Sequence, residues 1–194
     1  MPKTPIMVLA LDPSGNWLEG KGTTGWCVFN TADHKVTRAG NISASKFSCP
    51  EAYWQAHIEL LESCLVRYDK SLAVTIEDYI LYASKAKDQI NSKLETPRLI
   101  GILQLWCYTH QVPTIIEPAS EIRQRWTNEI LHYKGYIKKS GHSYIIPNVD
   151  TDMTKHCLDA VRHAVHTATF KMEVINELNT ARETVHRNAR VVRR

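Results

Sequence analysis

The stretch Met7-Val8-Leu9-Ala10-Leu11-Asp12 decides how the rest of the chain is arranged. Five consecutive apolar residues end in one acidic residue, and Pro13-Ser14-Gly15 interrupts the pattern directly afterwards. A short apolar run bounded by turn residues is typical of a strand that is buried on both faces of a sheet. The carboxylate of Asp12 is then expected where the chain leaves the sheet, at the mouth of any cleft there. The alternative is that Asp12 only opens a turn, because Asp-Pro is a common turn-opening pair.

The composition is that of an ordinary globular domain. The chain has 194 residues, enough for one domain with a sizeable core, and 43% of them are hydrophobic while 23% are charged. No apolar run approaches the ~20 residues of a membrane span, and the N-terminus lacks the apolar core of a signal peptide. We therefore expect a cytoplasmic protein, either cytosolic or associated with the nucleoid.

The cysteines do not form a recognisable site. There are five of them, they are scattered along the chain, and they contain no Cys-x-x-Cys pair. A zinc site or a disulfide framework is therefore not expected, and reduced, mostly buried thiols are the better interpretation.

The excess positive charge is concentrated at the C-terminus. The segment from Arg182 to Arg194 contains five Arg and one Glu, whereas the rest of the chain has 19 basic and 19 acidic residues. A basic arm suggests contact with nucleic acid, although many such tails are only solvated. We divide the chain into a domain of residues 1–178 and a basic C-terminal tail of residues 179–194.

The order of the predicted elements indicates an α/β domain. Strands are predicted at 7–12, 25–29, 35–42, 72–77 and 112–117, and helices at 51–68, 99–108, 118–131 and from 151 or 152 to about 176. Short links join the first three strands into a meander, whereas the fourth strand follows a helix and is expected to pair in parallel through a crossover. The expected fold is a five-stranded mixed sheet, with three antiparallel strands and then parallel strands, flanked by helices.

Residues 92–108 and 132–144 have further local features in their sequence. Ser92 and Glu95 have capping-box spacing, and Pro97 suits the first turn of a helix. Residues 99–108 of this helix are apolar nearly all round, so it must be covered on more than one side, either inside the core or by a second copy of the chain. Residues 132–144 combine Lys, His and Tyr with two glycines and show no clear period.

Three carboxylates are expected to meet at one edge of the sheet. Asp12 ends the first strand and Glu77 ends the fourth, so neighbouring strands would place them side by side. His156 and Asp159 are three residues apart and share a face of the last helix, which can pack across that edge. Carboxylates so close together repel each other strongly. Oxygen-rich clusters of this kind usually hold Mg²⁺ or Mn²⁺, and two ions ~4 Å apart are a standard device for phosphodiester hydrolysis.

Each carboxylate also has an ordinary structural explanation. Glu77 fits a salt bridge at the end of a strand, and Asp159 fits a surface pair with Arg162 or His163. These alternatives explain the residues singly, whereas a metal site explains all of them together.

An ordered set of short motifs resembles one family of nucleases. The RuvC-type Holliday junction resolvases of the RNase H-like superfamily have four similar motifs, in the same order and at similar spacing: Leu11-Asp12-Pro13, Thr24-Gly25-Trp26, Ile76-Glu77-Asp78 and His156-x-x-Asp159-Ala160. Two further family positions are matched by Arg98-x-x-Gly101 and Ala119-x-x-Ile122-Arg123. The resemblance covers most of the chain.

The resemblance implies an RNase H-like fold and a metal-dependent endonuclease of DNA recombination and repair. Such an enzyme acts as a homodimer and nicks two strands of a four-way DNA junction symmetrically. Asp12, Glu77 and Asp159 would be ligands of two Mg²⁺ ions, for which Mn²⁺ would substitute. His156 would stand at the family's fourth catalytic and metal-binding position, which is usually Asp but His in some members. The loop from Pro13 to Thr23 is several residues longer than in the family, which could reshape substrate contacts without touching the ligands.

Basic and aromatic residues near these motifs are candidates for DNA contact. Phosphate contacts dominate affinity because they release counterions. The family pattern places an aromatic residue just after the second carboxylate, so Tyr79 or Tyr82 is expected to stack on bases, unless both pack on the core. The basic candidates are Lys85, Lys87, Lys93, Arg123, Lys134, Lys138 and Lys139. The tail arginines, Arg187 to Arg194, would add affinity without shape selection.

Three other functions fit part of this pattern. Actin-like sugar kinases also use an Asp-x-Gly turn followed by Thr-Gly, but they need two such domains, which 194 residues cannot supply. Another RNase H-like nuclease, such as a terminase-type nuclease or a flap or ribosomal-RNA processing enzyme, would use similar carboxylates. A module that binds branched DNA without cutting it would lack a ligand, and none is missing here.

Overall fold

The computed structural model describes residues 6–80, 94–147, 149 and 154–181. The main sheet consists of β1 (Met7–Asp12), β2 (Thr23–Asn30), β3 (Lys35–Ser43), β4 (Leu72–Glu77) and β5 (Thr114–Glu117). The helices are α1 (Pro50–Tyr68), α2 (Glu95–Thr109), α3 (Ala119–Arg125), α4 (Asn128–Tyr133) and α5 (Lys155–Phe170), followed by α6 at 172–181. A separate hairpin consists of β6 (Lys138–Ser140) and β7 (Ser143–Ile145).

The five strands form a mixed sheet in the order β3-β2-β1-β4-β5. The pairs β1–β2 and β2–β3 are antiparallel, and the pairs β1–β4 and β4–β5 are parallel. The predicted sheet, with three antiparallel strands followed by parallel ones, is therefore confirmed. Leu11 lies opposite Ile76 in the parallel pair. Because β1 and β4 run in the same direction, the residues that follow these two meet at one edge of the sheet.

The side chains of β1 alternate between two hydrophobic layers. Met7, Leu9 and Leu11 pack in the layer that contains α1 and α2, whereas Val8 and Ala10 pack in the layer that contains α5. None of the five is more than 9% exposed. The strand is therefore buried on both faces, as its continuous apolar run predicts.

Three local predictions differ from the structure. The segment predicted as one helix at 118–131 forms two helices. The first ends before Trp126, and Thr127 caps α4 by accepting a hydrogen bond from the amide of Ile130. The last helix is capped by Thr154 rather than by Thr151 or Asp152, and it ends at Phe170 rather than near 176, with α6 following as a separate helix. Residues 132–144, which showed no period, contain most of the β6–β7 hairpin.

Helix α2 begins in an unusual way. It starts at Glu95, after Leu94 in a left-handed conformation with φ of 52°, and no side chain caps it at that position. Pro97 lies in the first turn, as predicted. The expected capping residue, Ser92, lies outside the described residues.

The two sides of α2 have different surroundings. Its inner side is buried against the sheet and α1 through Leu99, Leu103 and Trp106. On the outer side, Leu105 is 65% exposed and Tyr108 is 82% exposed. The alternative of a helix buried in the core on all sides is therefore wrong, and the outer side stays a candidate interface.

Three predictions about the whole chain can be compared with the described parts. The five cysteines are free, as expected. Helix α6 continues to residue 181, so the boundary drawn between 178 and 179 falls inside a helix. Within the parts of the chain that the structure describes, no helix has the length and hydropathy that a bilayer crossing requires.

Candidate active site

Two strand ends and one helix bring three carboxylates together. Asp12 ends β1, Glu77 ends the neighbouring β4, and Asp159 reaches the same edge from α5. One oxygen atom of each residue lies within 4.8 Å of the others. Asp12 and Asp159 are 5% and 1% exposed, and the side chain of Glu77 is 13% exposed. The carboxylates therefore meet as expected, and largely out of contact with water.

Gly25 allows α5 to approach the sheet at this point. It pairs with Asp12 across β1 and β2. A Cβ atom added at Gly25 would lie 2.1 Å from the carbonyl carbon of His156, which is far closer than van der Waals contact. The first turn of α5 therefore rests directly on the backbone of β2, and glycine is needed there for this close approach.

His156 is hydrogen-bonded to the first carboxylate. Its Nδ1 lies 2.7 Å from Oδ2 of Asp12, and its side chain is 38% exposed. The hydrogen bond to Asp12 raises the pKa of His156. Burial, reinforced by the negative charges of Glu77 and Asp159, raises the pKa of Asp12. Both shifts favour a proton held between His156 and Asp12.

The guanidinium of Arg123 spans the other two carboxylates. Its Nη2 lies 3.1 Å from Oε1 of Glu77 and 2.9 Å from Oδ2 of Asp159, and its Nε lies 3.2 Å from Oδ1 of Asp159. The Arg123 side chain is 43% exposed and comes from α3, directly after β5. Its charge offsets the repulsion among the acidic groups.

Arg162 and His163, considered above only as surface partners of Asp159, are parts of the site, where His163 is buried and Arg162 is partly buried. Nη1 of Arg162 binds Oδ1 of Asp159, and Nε2 of His163 lies 3.1 Å from Oε2 of Glu77. Their side chains are 12% and 1% exposed. They follow Asp159 by three and four residues and so share its face of α5. That spacing was a usable signal, but it did not reveal their burial.

Other hydrogen bonds fix Arg162, whereas His163 is held by burial and by Glu77. Arg162 also donates from Nε to the carbonyl oxygen of Trp126 at 2.8 Å and from Nη2 to Oδ1 of Asn128, at the break between α3 and α4. Among the described residues, Nδ1 of His163 has no hydrogen-bond partner. The neutral tautomer with its proton on Nε2 therefore fits best, since it donates to Glu77 and leaves no buried N–H unpaired.

A fourth carboxylate lies nearby but pairs elsewhere. Glu117 ends β5 in register with Glu77. Its Oε1 lies 3.1 Å from Nζ of Lys171 and 3.6 Å from Nε2 of His166. Because Glu117 has its own cationic partner, it does not join the group formed by the other three.

A buried network holds the turn that follows Asp12. Nδ1 of His57 lies 2.7 Å from the carbonyl oxygen of Tyr53 and donates to it, so Nε2 accepts from the hydroxyl of Thr24 at 2.8 Å. The Tyr53 hydroxyl donates to the carbonyl of Ser14 at 2.6 Å, and the Ser14 amide donates to Oγ1 of Thr24 at 3.2 Å. Burial lowers the pKa of His57 to about 4, so its ring is neutral at pH 7.

The long loop between β1 and β2 is docked on the start of α2. The Gly15 amide donates to Oγ1 of Thr96 at 3.0 Å, and the Leu18 amide donates to Oε2 of Glu95 at 3.3 Å. A Cβ at Gly15 would lie 2.2 Å from the backbone of Glu95. Pro13 and Thr96 also line the cleft beside the carboxylates. The loop therefore forms part of the wall of this cleft.

Two of the proposed DNA-contact residues lie in the cleft. Arg123 and Tyr79 line it together with Asp12 and Glu77. Tyr79 is half-buried and packs partly against the layer of α1 and α2. The other candidates in this region lie outside the described residues, namely Tyr82, Lys85, Lys87 and Lys93, as do the tail arginines.

Three further candidates are exposed on the hairpin and the turn before it, namely Lys134, Lys138 and Lys139. The hairpin is anchored by Tyr136, whose ring centroid lies 5.6 Å from that of Phe29. Phe29 is four residues along β2 from Gly25, or about 13 Å in an extended strand. None of these three lysines lines the cleft beside the carboxylates, so their contact with DNA stays a prediction for another part of the substrate.

Comparisons with known proteins identify the fold. No family model and no curated protein matches the chain. Among solved structures, T. thermophilus RuvC in complex with a Holliday junction substrate is similar, with a TM-score of 0.61 and 13% identity over 88% of this chain and 97% of that one. A Thermus thermophilus RuvC structure gives a TM-score of 0.57 and 14% identity over 87% and 97% of the two chains. The chain therefore has the RNase H-like fold of RuvC.

Proposed function

We propose that this protein is a metal-dependent endonuclease that resolves four-way DNA junctions by paired symmetric nicks. The observation that carries the proposal is the buried group of Asp12, Glu77 and Asp159 at the edge of a RuvC-type sheet. Branched DNA is supported as the substrate because T. thermophilus RuvC, which has this fold, was solved in complex with a Holliday junction substrate.

The donor set of the group fits a divalent cation. Three carboxylates offer only oxygen ligands, which Mg²⁺ and Mn²⁺ prefer. In phosphodiester hydrolysis, two such ions supply an activated water and stabilise the attacking and leaving oxygens. Asp12, Glu77 and Asp159 would hold them, with His156 as a further ligand or as a proton carrier. A protonated His156 can give its proton to the leaving oxygen, and a neutral one can take a proton from the attacking water.

The DNA would be held by phosphate contacts and by base stacking. Arg123 and the exposed lysines of the hairpin are the described candidates for phosphate, and Lys85, Lys87 and Lys93 are candidates in the segment before α2. Tyr79 or Tyr82 would stack on a base at the crossover. Stacking is typically worth ~1–3 kcal/mol per base, so its loss is expected to slow junction cleavage without changing metal binding.

A homodimer would match the two-fold symmetry of the junction. Paired nicks require two sites related by the symmetry axis of the substrate. The outer side of α2 supports this proposal, since Leu105 and Tyr108 are exposed there. A second copy of the same surface would cover both residues.

A second candidate function is an RNase H-like nuclease that acts on other branched DNA, such as flaps. The loop between β1 and β2 favours it, because this loop forms part of the cleft wall and can change which branched DNA fits there. The substrate differs between the two candidates, whereas the carboxylates would serve both.

A cleavage assay separates these candidates. A labelled four-way junction, a flap and a linear duplex are incubated with the protein, with and without Mg²⁺. We expect symmetric nicks in the junction that require Mg²⁺, and an uncut linear duplex. Faster cleavage of the flap would favour the second candidate.

Matched variants test the metal site itself. Asp12→Asn is expected to abolish cleavage and to leave junction binding intact. Glu117→Gln removes a neighbouring carboxylate that pairs with Lys171 instead, and it is expected to cleave. Turnover at the wild-type rate in Asp12→Asn would refute the assignment.

A further inference from the structure

We propose that Arg123 is an internal counter-ion that exchanges with the divalent metal and then binds a phosphate of the DNA. The inference deepens the proposed function and rests on it. The oxygens of the three carboxylates are divided between partners on α5 and Arg123.

Each carboxylate has one partner on α5. These three pairs join Oδ2 of Asp12 to His156, Oε2 of Glu77 to His163, and Oδ1 of Asp159 to Arg162. His163 is buried, and Arg162 is partly buried and also bound at the break between α3 and α4. These two partners are fixed by the fold and leave one oxygen of Glu77 and one of Asp159 for another cation.

Arg123 binds those two oxygens. Its Nη2 contacts both Oε1 of Glu77 and Oδ2 of Asp159, at 3.1 Å and 2.9 Å. A divalent ion shared by the carboxylates needs an oxygen from each of these residues. Arg123 and the ion therefore compete for the same atoms, and the guanidinium must withdraw when the ion binds.

Arg123 is the partner that can withdraw. Its side chain is 43% exposed, compared with 12% for Arg162. Among the described residues, the hydrogen bonds of its guanidinium all go to Glu77 and Asp159. A released guanidinium would be solvated at the cleft and remain next to the path of the DNA backbone, where its planar fork matches a phosphate.

This exchange couples metal binding to DNA binding. Without metal, the carboxylates hold Arg123 and reduce its contact with phosphate. Because linkage is reciprocal, an ion that frees Arg123 increases DNA affinity, and bound DNA increases metal affinity by the same factor.

Titration of the DNA-free protein with Mn²⁺ tests the exchange. Calorimetry is performed on the wild type, on Arg123→Met and on Arg125→Met, which loses the same charge from the same helix but lies over Phe170. We expect Arg123→Met to bind Mn²⁺ about tenfold more tightly, because a charge-assisted contact no longer competes, and Arg125→Met to bind as the wild type does. Equal or weaker binding by Arg123→Met would overturn the exchange.

Two further measurements keep the outcome unambiguous. Arg123→Gln removes the charge and keeps a polar side chain, so it should also bind Mn²⁺ more tightly than the wild type; if Arg123→Met does not fold, equal or weaker binding by Arg123→Gln decides against the exchange. With Ca²⁺ as the ion, junction affinity should rise more in the wild type than in Arg123→Met, because only the wild type also releases a guanidinium for phosphate; an equal rise in both proteins would contradict the coupling. Absence of Mn²⁺ binding in every protein would refute the proposed metal site, and the exchange with it.

Discussion

The residues that orient the carboxylates differ in charge and in exposure. Asp12 is bound by a partly exposed imidazole, Glu77 by a buried imidazole, and Asp159 by a partly buried guanidinium. A buried neutral imidazole can orient a carboxylate without placing a positive charge near a metal ion. Such outer contacts commonly contribute 10–100-fold to metal affinity or activity. His163 is therefore the orienting residue whose removal should affect metal binding most directly.

Replacement of His163 by Leu is expected to weaken Mn²⁺ binding by about tenfold or more, because Oε2 of Glu77 loses its donor. His166→Leu is the matched control: it removes an imidazole one turn further along α5 whose partner is Glu117. Calorimetry on the DNA-free proteins measures the affinity, and melting temperatures show whether each variant is folded. A folded His163→Leu protein with the metal affinity of the wild type would contradict the orienting role. His163→Gln, which keeps a donor, should recover part of the affinity.

The sequence revealed the carboxylates better than their partners. Asp12 and Glu77 were predictable because each ends an apolar run, and strand ends meet at one edge of a sheet. The roles of Arg162 and His163 depend on how α5 crosses the sheet, which the local pattern does not determine. Arg123 was expected to contact a phosphate of DNA. In the structure it binds Glu77 and Asp159, because the tertiary fold brings these carboxylates next to it, and the local sequence does not show this.

Among the elements, α1 supports the site from the opposite face of the sheet. His57 is fully buried on α1 and links it to Thr24 at the start of β2. The hydroxyl of Thr24 donates to Nε2 of His57, which can accept only while the ring is neutral. Protonation of His57 would therefore place a buried charge against a donor and disturb the turn after Asp12.

The free energy of unfolding is expected to depend on His57 in a defined pH range. Its pKa in the folded protein is about 4, below the ordinary value near 6.5, so the unfolded chain binds more protons between these values. Neutral His57 therefore contributes up to about 3 kcal/mol to the free energy of unfolding. This contribution is fully present above pH 6.5 and is lost as the pH falls towards 4. Denaturant unfolding of the wild type and of His57→Gln at pH 7.5, 6 and 5 measures the free energy of unfolding of each protein. The difference in stability between the two should shrink as the pH falls; a constant difference would mean that His57 does not titrate in this way.

The hairpin is a second element with a distinct expected role. Lys138 and Lys139 are exposed on β6, away from the carboxylates. Their joint replacement by Gln is expected to weaken binding of junction and duplex alike and to reduce the salt dependence by about 0.9 per lost phosphate contact. The matched control replaces Arg67 and Lys70, which are exposed near the end of α1. Fluorescence anisotropy at several salt concentrations measures both, and equal slopes for the two double variants would exclude the hairpin from the interface.

Element boundaries were predictable where one signal dominated. The strands followed from apolar runs, and the helix at 51–68 was confirmed to within one residue because Pro50 starts it. The single helix expected at 118–131 was wrong because Ile122, Trp126 and Ile130 continue one apolar stripe across the break. The cap at Thr127 was visible in the sequence but was outweighed by that stripe. The hairpin was missed because its strands are only three residues long and mostly exposed.

For the whole molecule, the outer side of α2 is the surface that a second copy would cover. Gly101, Leu105 and Tyr108 are exposed and spaced by four and three residues, so they share one face of the helix. Small and apolar residues on one face allow two such helices to pack closely. Since stable interfaces usually bury more than about 1,000 Å² in total, α2 would need help from neighbouring residues in the same contact.

The double variant Leu105→Glu/Tyr108→Glu is expected to convert a dimer into a monomer, because the two copies would then place like charges against each other. Val66→Glu is the matched control: Val66 is 87% exposed on α1, and its replacement should leave the assembly unchanged. Light scattering at micromolar concentration measures the mass. Cleavage of a plasmid with an extruded cruciform measures paired nicking. A dimer that nicks both strands before release produces linear DNA, whereas a monomer produces only nicked circles. A wild-type protein that is monomeric and still produces linear DNA would show that paired cleavage does not depend on this surface.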